Sequence, residues 1–127
     1  MPDFGLLLLR LGLGSIFVAH GWAKWQNFEA TTAFFASLGL PQSFVYLVAA
    51  TELLGGLTII GGMLTRLASF GLAIIMVVAI VQVKFSLGFV GGYEFELLLL
   101  LVALALVLLG PGHFKFLRFG PWSSESL

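Results

Sequence analysis

Residues 93–110 read YEFELLLLLVALALVLLG, and beyond Glu96 this stretch carries only apolar side chains up to Gly110. A helix of about this length crosses the roughly 30 Å hydrocarbon core of a bilayer. The whole chain has 127 residues, of which 60% are hydrophobic and 9% are charged, and its mean hydropathy is +1.11. A soluble domain of this size leaves too much surface in water to hide so many apolar side chains. The composition therefore predicts an integral membrane protein.

Three further apolar runs precede this one, and glycines and prolines separate them. The predicted spans cover about residues 4–24, 42–63, 66–87 and 94–110, followed by a tail at 111–127. The segment QNFEATTAFFASLGLP (26–41) mixes polar and apolar residues, which indicates a short amphipathic segment at the membrane interface. The predicted fold is all-α: a polytopic four-helix membrane bundle in one domain, with this segment between spans one and two. The aromatic, weakly basic tail is expected to lie along the lipid headgroups.

The orientation is predicted from the basic residues near the span ends. The side that holds both termini carries four of them and the opposite side carries two: Arg10, Arg66, Lys115 and Arg118 against Lys24 and Lys84. This difference predicts cytoplasmic termini in a bacterial-type inner or plasma membrane. Because the N-terminal run begins with an acidic residue and contains Arg10, we expect a retained first span rather than a cleaved signal peptide.

Span one also carries a periodic set of small residues. Gly5, Gly12 and Ala19 recur every seven positions and so share one face of the helix. Small residues allow transmembrane helices to approach closely. This face is therefore predicted to pack inside the bundle.

Polar side chains inside the spans are the candidate functional residues, because each is costly in lipid. Arg10, His20 and Lys24 lie on one stripe of span one, although Arg10 and Lys24 are each near enough to a surface to snorkel. Glu52 lies about 15 Å from both ends of span two, so its short side chain must be protonated, hydrogen-bonded or ion-paired. Arg10, offset by about 6 Å in depth, is its expected partner.

A second group of charges is predicted at the opposite side from the termini. Glu94 and Glu96 begin span four at the level of Lys24 and Lys84, where they can form an acid–base cluster with His20. The alternative is ordinary interfacial ion pairing, which contributes little energy.

Several function classes are disfavoured by the composition. The chain has no cysteine and a formal net charge of zero, which argues against thiol chemistry and against nucleic acid as a partner. His20 and His113 are predicted on opposite sides of the membrane, and no metal-ligand spacing is present. No haem or metal is therefore expected from this chain alone.

Four segments in order resemble the DoxX family of small four-helix membrane proteins, which includes DoxD-like members: RLGLGSIFVAHGWAKW, ATELLGGLTIIGGMLTRLAS, GGYEFELLLLLVALAL and GPGHF. The likeness covers about residues 6–114. It places characteristic family positions at Arg10, His20, Lys24, Glu52 and Arg66, and at Glu94 or Glu96. The family's end signature, G-P-G-x-x-S-x-D, reads GPGHFKFL here, with Lys115 and Leu117 replacing the serine and aspartate.

The resemblance implies a redox-associated membrane protein, since one family branch is similar to a subunit of thiosulfate:quinone oxidoreductase. A bound quinone or a partner subunit would then carry the electrons. On this hypothesis Glu52 and His20 are catalytic and move protons, and five residues bind the ligand: Arg10, Lys24, Arg66, Glu94 and Glu96.

Two alternatives remain open at this stage. The first is a non-catalytic accessory subunit or assembly factor, which would associate in the bilayer with other membrane or redox subunits or with a second copy. In that case the buried charges would set helix register. The second is a small transporter or channel, which a four-helix bundle of this size accommodates poorly unless it oligomerises.

Overall fold

The computed structural model describes residues 2–113. Five α-helices lie in this range: α1 (Pro2–Gln26), α2 (Phe28–Ser37), α3 (Gln42–Gly61), α4 (Thr65–Ala79) and α5 (Glu94–Leu109). Four helical stretches are long and apolar enough to cross a membrane: Pro2–Gln26, Gln42–Gly61, Thr65–Leu87 and Phe89–Leu109. The predicted all-α, four-span fold is confirmed, and α2 occupies the segment between spans one and two. The predicted headgroup-bound tail, with Lys115 and Arg118, falls outside the described residues.

Helices α1 and α3 pack antiparallel through glycines. A Cβ atom added at Gly14 would lie 2.7 Å from the carbonyl oxygen of Gly56, and one at Gly56 would lie 2.7 Å from that of Gly14. About two turns further along α1, a Cβ at Gly21 would lie 2.7 Å from the backbone nitrogen of Leu53. No larger side chain fits between these backbones. This close approach holds the first and second spans together by packing.

The small face predicted on α1 is not the face that packs. Within residues 2–113, no atom beyond the adjoining backbone of α1 itself and the flanking residues lies within 4 Å of a Cβ position at Gly5 or Gly12, and Ala19 is exposed. The prediction that this face packs inside the bundle is therefore wrong for the described chain. Gly14 and Gly21 share the same seven-residue spacing but lie about 200° around the helix from Gly12 and Ala19. Spacing alone does not distinguish the two faces.

The apolar core joins the α1–α3 pair to a second pair formed by α4 and α5. Its buried members come from all four spans: Leu13, Phe17, Ile59, Leu72, Ala73, Met76, Leu99, Ala103 and Leu106. Gly62 caps the C-terminus of α3, and its φ of +78° allows the N–H of Met63 to donate to the carbonyl of Thr58 at 2.9 Å. The resulting tight turn places α4 beside α3.

The connection from α4 to α5 is irregular. A π-helical turn at Ile80–Lys84 and a 3₁₀ turn at Phe85–Leu87 continue α4. The next turn, Phe89–Tyr93, leaves helical backbone geometry at Val90, Gly91 and Gly92 before α5 begins. Such π-helical turns are frequent at functional sites, because they re-aim side chains relative to a regular helix.

Candidate functional site

A cavity of about 590 Å³ lies at the end of the bundle where α1 finishes, between the α1–α3 pair and the α4–α5 pair. Helix α2 adds Phe34 and Phe35 to its wall, and most of the remaining wall is also apolar. Its polar lining residues are His20, Lys24, Thr51, Glu52, Gln82, Lys84 and Glu96. A mostly apolar cavity of this volume with a few polar groups is typical of a small-molecule site. We call it the polar-ended cavity.

The most buried charge in this cavity is paired. Lys24 Nζ lies 2.7 Å from Glu52 Oε1, and the exposed fractions of the two side chains are 22% and 2%. The ammonium approaches outside the angular range of a well-aligned hydrogen bond, so the contact is an ion pair. Helical side chains point toward the N-terminus of their helix. The Lys24 side chain therefore runs back into the bundle and reaches Glu52 instead of extending to the surface.

Arg10 is not the partner of Glu52, and the expectation that it would be is wrong. Its Nε and Nη2 atoms donate to the carbonyls of Ile59 and Ile60 at 2.9 Å each, and Nη1 donates to the carbonyl of Pro111 at 2.9 Å. Carbonyls in the last turn of a helix lack intrahelical partners, and a cation there also interacts favourably with the helix dipole. Arg10, which is 1% exposed, thus joins the end of α3 to the segment after α5.

A second acid–base pair faces the cavity from the other helix pair. Lys84 Nζ lies 3.8 Å from Glu96 Oε2, while Glu96 Oε1 is buried without a hydrogen-bond partner. Lys84 is positioned by the π-helical turn, and Glu96 lies in the first turn of α5. The His20 ring stacks on that of Phe95, with centroids 6.1 Å apart. This contact links α1 to α5 beside the cavity.

The structure brings together four of the seven predicted site residues: His20, Lys24, Glu52 and Glu96. Arg10 and Arg66 lie at the opposite end of the bundle, where a Cβ at Gly110 would be 3.1 Å from Arg66 Nε. Glu94 Oε1 accepts the N–H of Gly91 at 3.2 Å, so this carboxylate stabilises the turn before α5 and does not line the cavity.

Three polar lining residues were absent from the predicted set: Thr51, Gln82 and Lys84. Gln82 and Lys84 project into the cavity from the π-helical turn, and a regular helical periodicity misplaces residues beyond such a turn. Thr51 lies next to Glu52, and a threonine in a span carries no signal of its own.

The arrangement has two chemical properties. The lining contains two lysines and two glutamates, whose charges cancel, so the cavity carries no formal net charge when all four are ionised. Its donors lie at one end and the apolar wall occupies the rest. Such a site suits an uncharged molecule with a polar head. Within residues 2–113, no group of three metal-ligating side chains is assembled.

Comparison with known proteins gives consistent matches. The family model described as DoxX matches residues 5–85. The protein named "Putative oxidoreductase CatD" of Bacillus subtilis (strain 168) is 41% identical over 120 residues, which cover 94% of this chain and 87% of that protein. "Inner membrane protein YqjF" of Escherichia coli (strain K12) is 33% identical over 66 residues, 52% of this chain and 51% of that protein. No solved structure matches the chain.

Proposed function

The chain belongs to the DoxX family and is an integral membrane protein, and from this premise we propose that it is a redox-associated protein that binds a quinone. The observation that carries the proposal is the polar-ended cavity, in which the buried Lys24–Glu52 pair lies at the polar end of a mostly apolar space of about 590 Å³. The oxidoreductase name of the Bacillus relative supports the redox part of the proposal.

The lining residues fit the chemistry of a quinone. A quinone ring is flat and apolar on its faces and carries two carbonyl oxygens that accept hydrogen bonds. Lys24 and Lys84 supply ammonium donors at the polar end, and Phe17 and Phe95 supply aromatic surface for the ring. The unpartnered Glu96 Oε1 is a buried polar atom that a bound molecule can satisfy.

A bound quinone supplies two-electron, two-proton chemistry. This chain's contribution is to hold protons beside the ring. Glu52 is 2% exposed, so its carboxylate depends on the adjacent Lys24 ammonium to remain charged inside the bundle. Gain or loss of a proton at Glu52 breaks or forms that ion pair. His20, on the same wall, is a second group that can accept or donate a proton.

The test is the quinone content of the purified protein. The chain is isolated from its own membrane in mild detergent, and the organic extract is quantified by chromatography. We expect Glu52→Gln to lower bound quinone about tenfold, equivalent to about 1.4 kcal/mol of lost interaction. The matched control is Glu29→Gln, the same change at an exposed position on α2 outside the cavity lining. Absence of quinone from the wild-type protein, or equal content in both variants, would refute the proposal.

A second candidate function is an accessory subunit, and the open face of α1 favours it. Gly5, Gly12 and Ala19 present small residues that no described residue covers, and such faces accept another transmembrane helix. The partner would be another membrane subunit or a second copy of the chain. Native mass spectrometry distinguishes the functions: a stoichiometric partner without bound quinone, released by Gly12→Leu, would make this chain an accessory subunit.

Cytoplasmic termini are part of the proposal and have a direct test. Because the chain has no cysteine, single cysteines can be labelled without background. We expect a membrane-impermeant maleimide added to intact cells to label Glu29→Cys but not Pro2→Cys, both of which are exposed positions. Labelling of Pro2→Cys but not of Glu29→Cys would show that the termini lie outside the cytoplasm.

A further inference from the structure

We propose that the polar-ended cavity takes a quinone with a single apolar tail, and that the tail leaves the cavity sideways between α3 and α4 to lie in a lipid-facing groove. This inference rests on the proposed function, and it names the ligand class and its path into the site.

The groove adjoins the cavity. It runs along the outer surface between α3 and α4, lined by residues that include Leu54 and Leu67, and it shares Leu47, Thr51 and Gly71 with the cavity wall. The exposed fractions of Leu47, Leu54 and Leu67 are 59%, 61% and 59%, so this surface faces lipid. A molecule that occupies both spaces must pass the shared residues.

At the boundary between the cavity and the groove, α4 contributes no side chain at Gly71, and the two helices are in van der Waals contact there. At Gly71, an added Cβ would lie 3.6 Å from Thr51 Cγ2, and one turn deeper the Leu72 side chain lies 3.5 Å from a Cβ position at Gly55. Toward the α2 side of this point, Ile74 and Val78 line the cavity while being 51% and 45% exposed. The cavity wall there is also outer surface, so the cavity opens to lipid between α3 and α4.

Charge and width select the occupant. Lys24 and Lys84 already face Glu52 and Glu96, so a phospholipid phosphate would find no unmatched cation in the cavity. Helices in contact have axes about 8–10 Å apart, and a surface gap between them accommodates one hydrocarbon chain more readily than two. An uncharged head with one tail, as in an isoprenoid quinone, meets both conditions.

The length of the groove determines how much of the tail the protein contacts. Leu47 and Gly55 are the first and last residues of α3 that line the groove, and they are eight residues, or about 12 Å, apart along the helix. A tail therefore contacts the protein over about this distance, and any longer part extends into the lipid.

The first experiment compares two probes by calorimetry on the full chain in mild detergent. One is decylubiquinone, and the other is its ring without the tail. Gly71→Phe places a ring at the boundary between the cavity and the groove, and Gly12→Phe is the matched control, because it is the same substitution at an open position on α1. We expect Gly71→Phe to weaken decylubiquinone binding about tenfold and to change binding of the tail-free ring less than about twofold, with Gly12→Phe resembling wild type. Unchanged decylubiquinone binding in Gly71→Phe would overturn the proposal.

The second experiment does not depend on a variant. A quinone with a photoreactive diazirine near the end of a ten-carbon tail is cross-linked to the wild-type chain, and the labelled peptides are identified by mass spectrometry. Labels on residues 47–55 and 67–71 support the proposed path, also in the case that Gly71→Phe weakens both probes. Labels on α1 or α5 overturn it. If the wild-type chain binds neither probe, the proposed function itself fails, whereas binding of the ring with labels elsewhere refutes only the tail path.

Discussion

Replacing Lys24 with Met removes the cation that lies 2.7 Å from Glu52 inside the bundle. A double-mutant cycle of Lys24→Met and Glu52→Gln therefore measures the pair directly. The two single variants are not expected to be equivalent. Lys24→Met leaves a carboxylate at 2% exposure without its partner, whereas Glu52→Gln leaves an ammonium on a side chain that is 22% exposed and can reach water.

The magnitude follows from distance and burial. At 2.7 Å and an effective dielectric constant of about 20, the gross attraction is about 6 kcal/mol, and desolvation of both charges offsets much of it. We expect the free energy of unfolding to fall by about 3 kcal/mol in Lys24→Met, about 1 kcal/mol in Glu52→Gln and about 2 kcal/mol in the double variant. The coupling energy is then about 2 kcal/mol, somewhat above the range measured for hydrogen bonds between transmembrane helices.

The assay is unfolding by SDS in mixed micelles, followed by far-UV circular dichroism. The Lys84–Glu96 pair provides a matched control, because it is longer, at 3.8 Å, and the Lys84 side chain is 37% exposed. For Lys84→Met with Glu96→Gln we expect a coupling energy below about 0.5 kcal/mol. Equal coupling in the two pairs, or additive effects at Lys24 and Glu52, would refute the reasoning that burial and short distance make the Lys24–Glu52 pair the stronger of the two.

Three further predictions concern stability and are measured by the same SDS titration. Arg10→Met should lower the free energy of unfolding by about 3 kcal/mol, because the carbonyls of Ile59, Ile60 and Pro111 each lose the hydrogen bond that Arg10 donates, and Arg66→Met should change it by less than about 0.5 kcal/mol; similar losses in both would contradict the helix-capping role. Gly56→Leu should prevent the close packing of α1 on α3 and lower this free energy by more than about 3 kcal/mol, whereas Gly12→Leu should leave the monomer within about 0.5 kcal/mol of wild type. Glu94→Gln should lower it by about 0.5 kcal/mol through the turn before α5, without changing the quinone content that Glu52→Gln lowers; a loss of quinone there would return Glu94 to the site.

The cost of a buried charge was the most reliable guide to the site. Glu52 was singled out because a glutamate in mid-membrane needs a partner, and the structure provides one. The identity of that partner was mispredicted, since depth along separate helices does not report which way a side chain runs. Lys24 reaches inward because its helix directs it there, and Arg10 is held by carbonyls in the last turn of α3.

The sequence by itself determined the all-α, four-span architecture, because runs of apolar residues near the length of a bilayer are stable only as membrane helices. It also determined which side chains needed an explanation. Only the tertiary structure decided which glycine face of α1 packs, which charges share the polar-ended cavity and where that cavity meets the lipid. The physical reason is that lipid is as apolar as the surface of a membrane helix, so hydrophobicity does not determine which face of the helix packs against its neighbours. The rotation of each helix, and the π-helical turn that aims Lys84 inward, follow from contacts among all four spans.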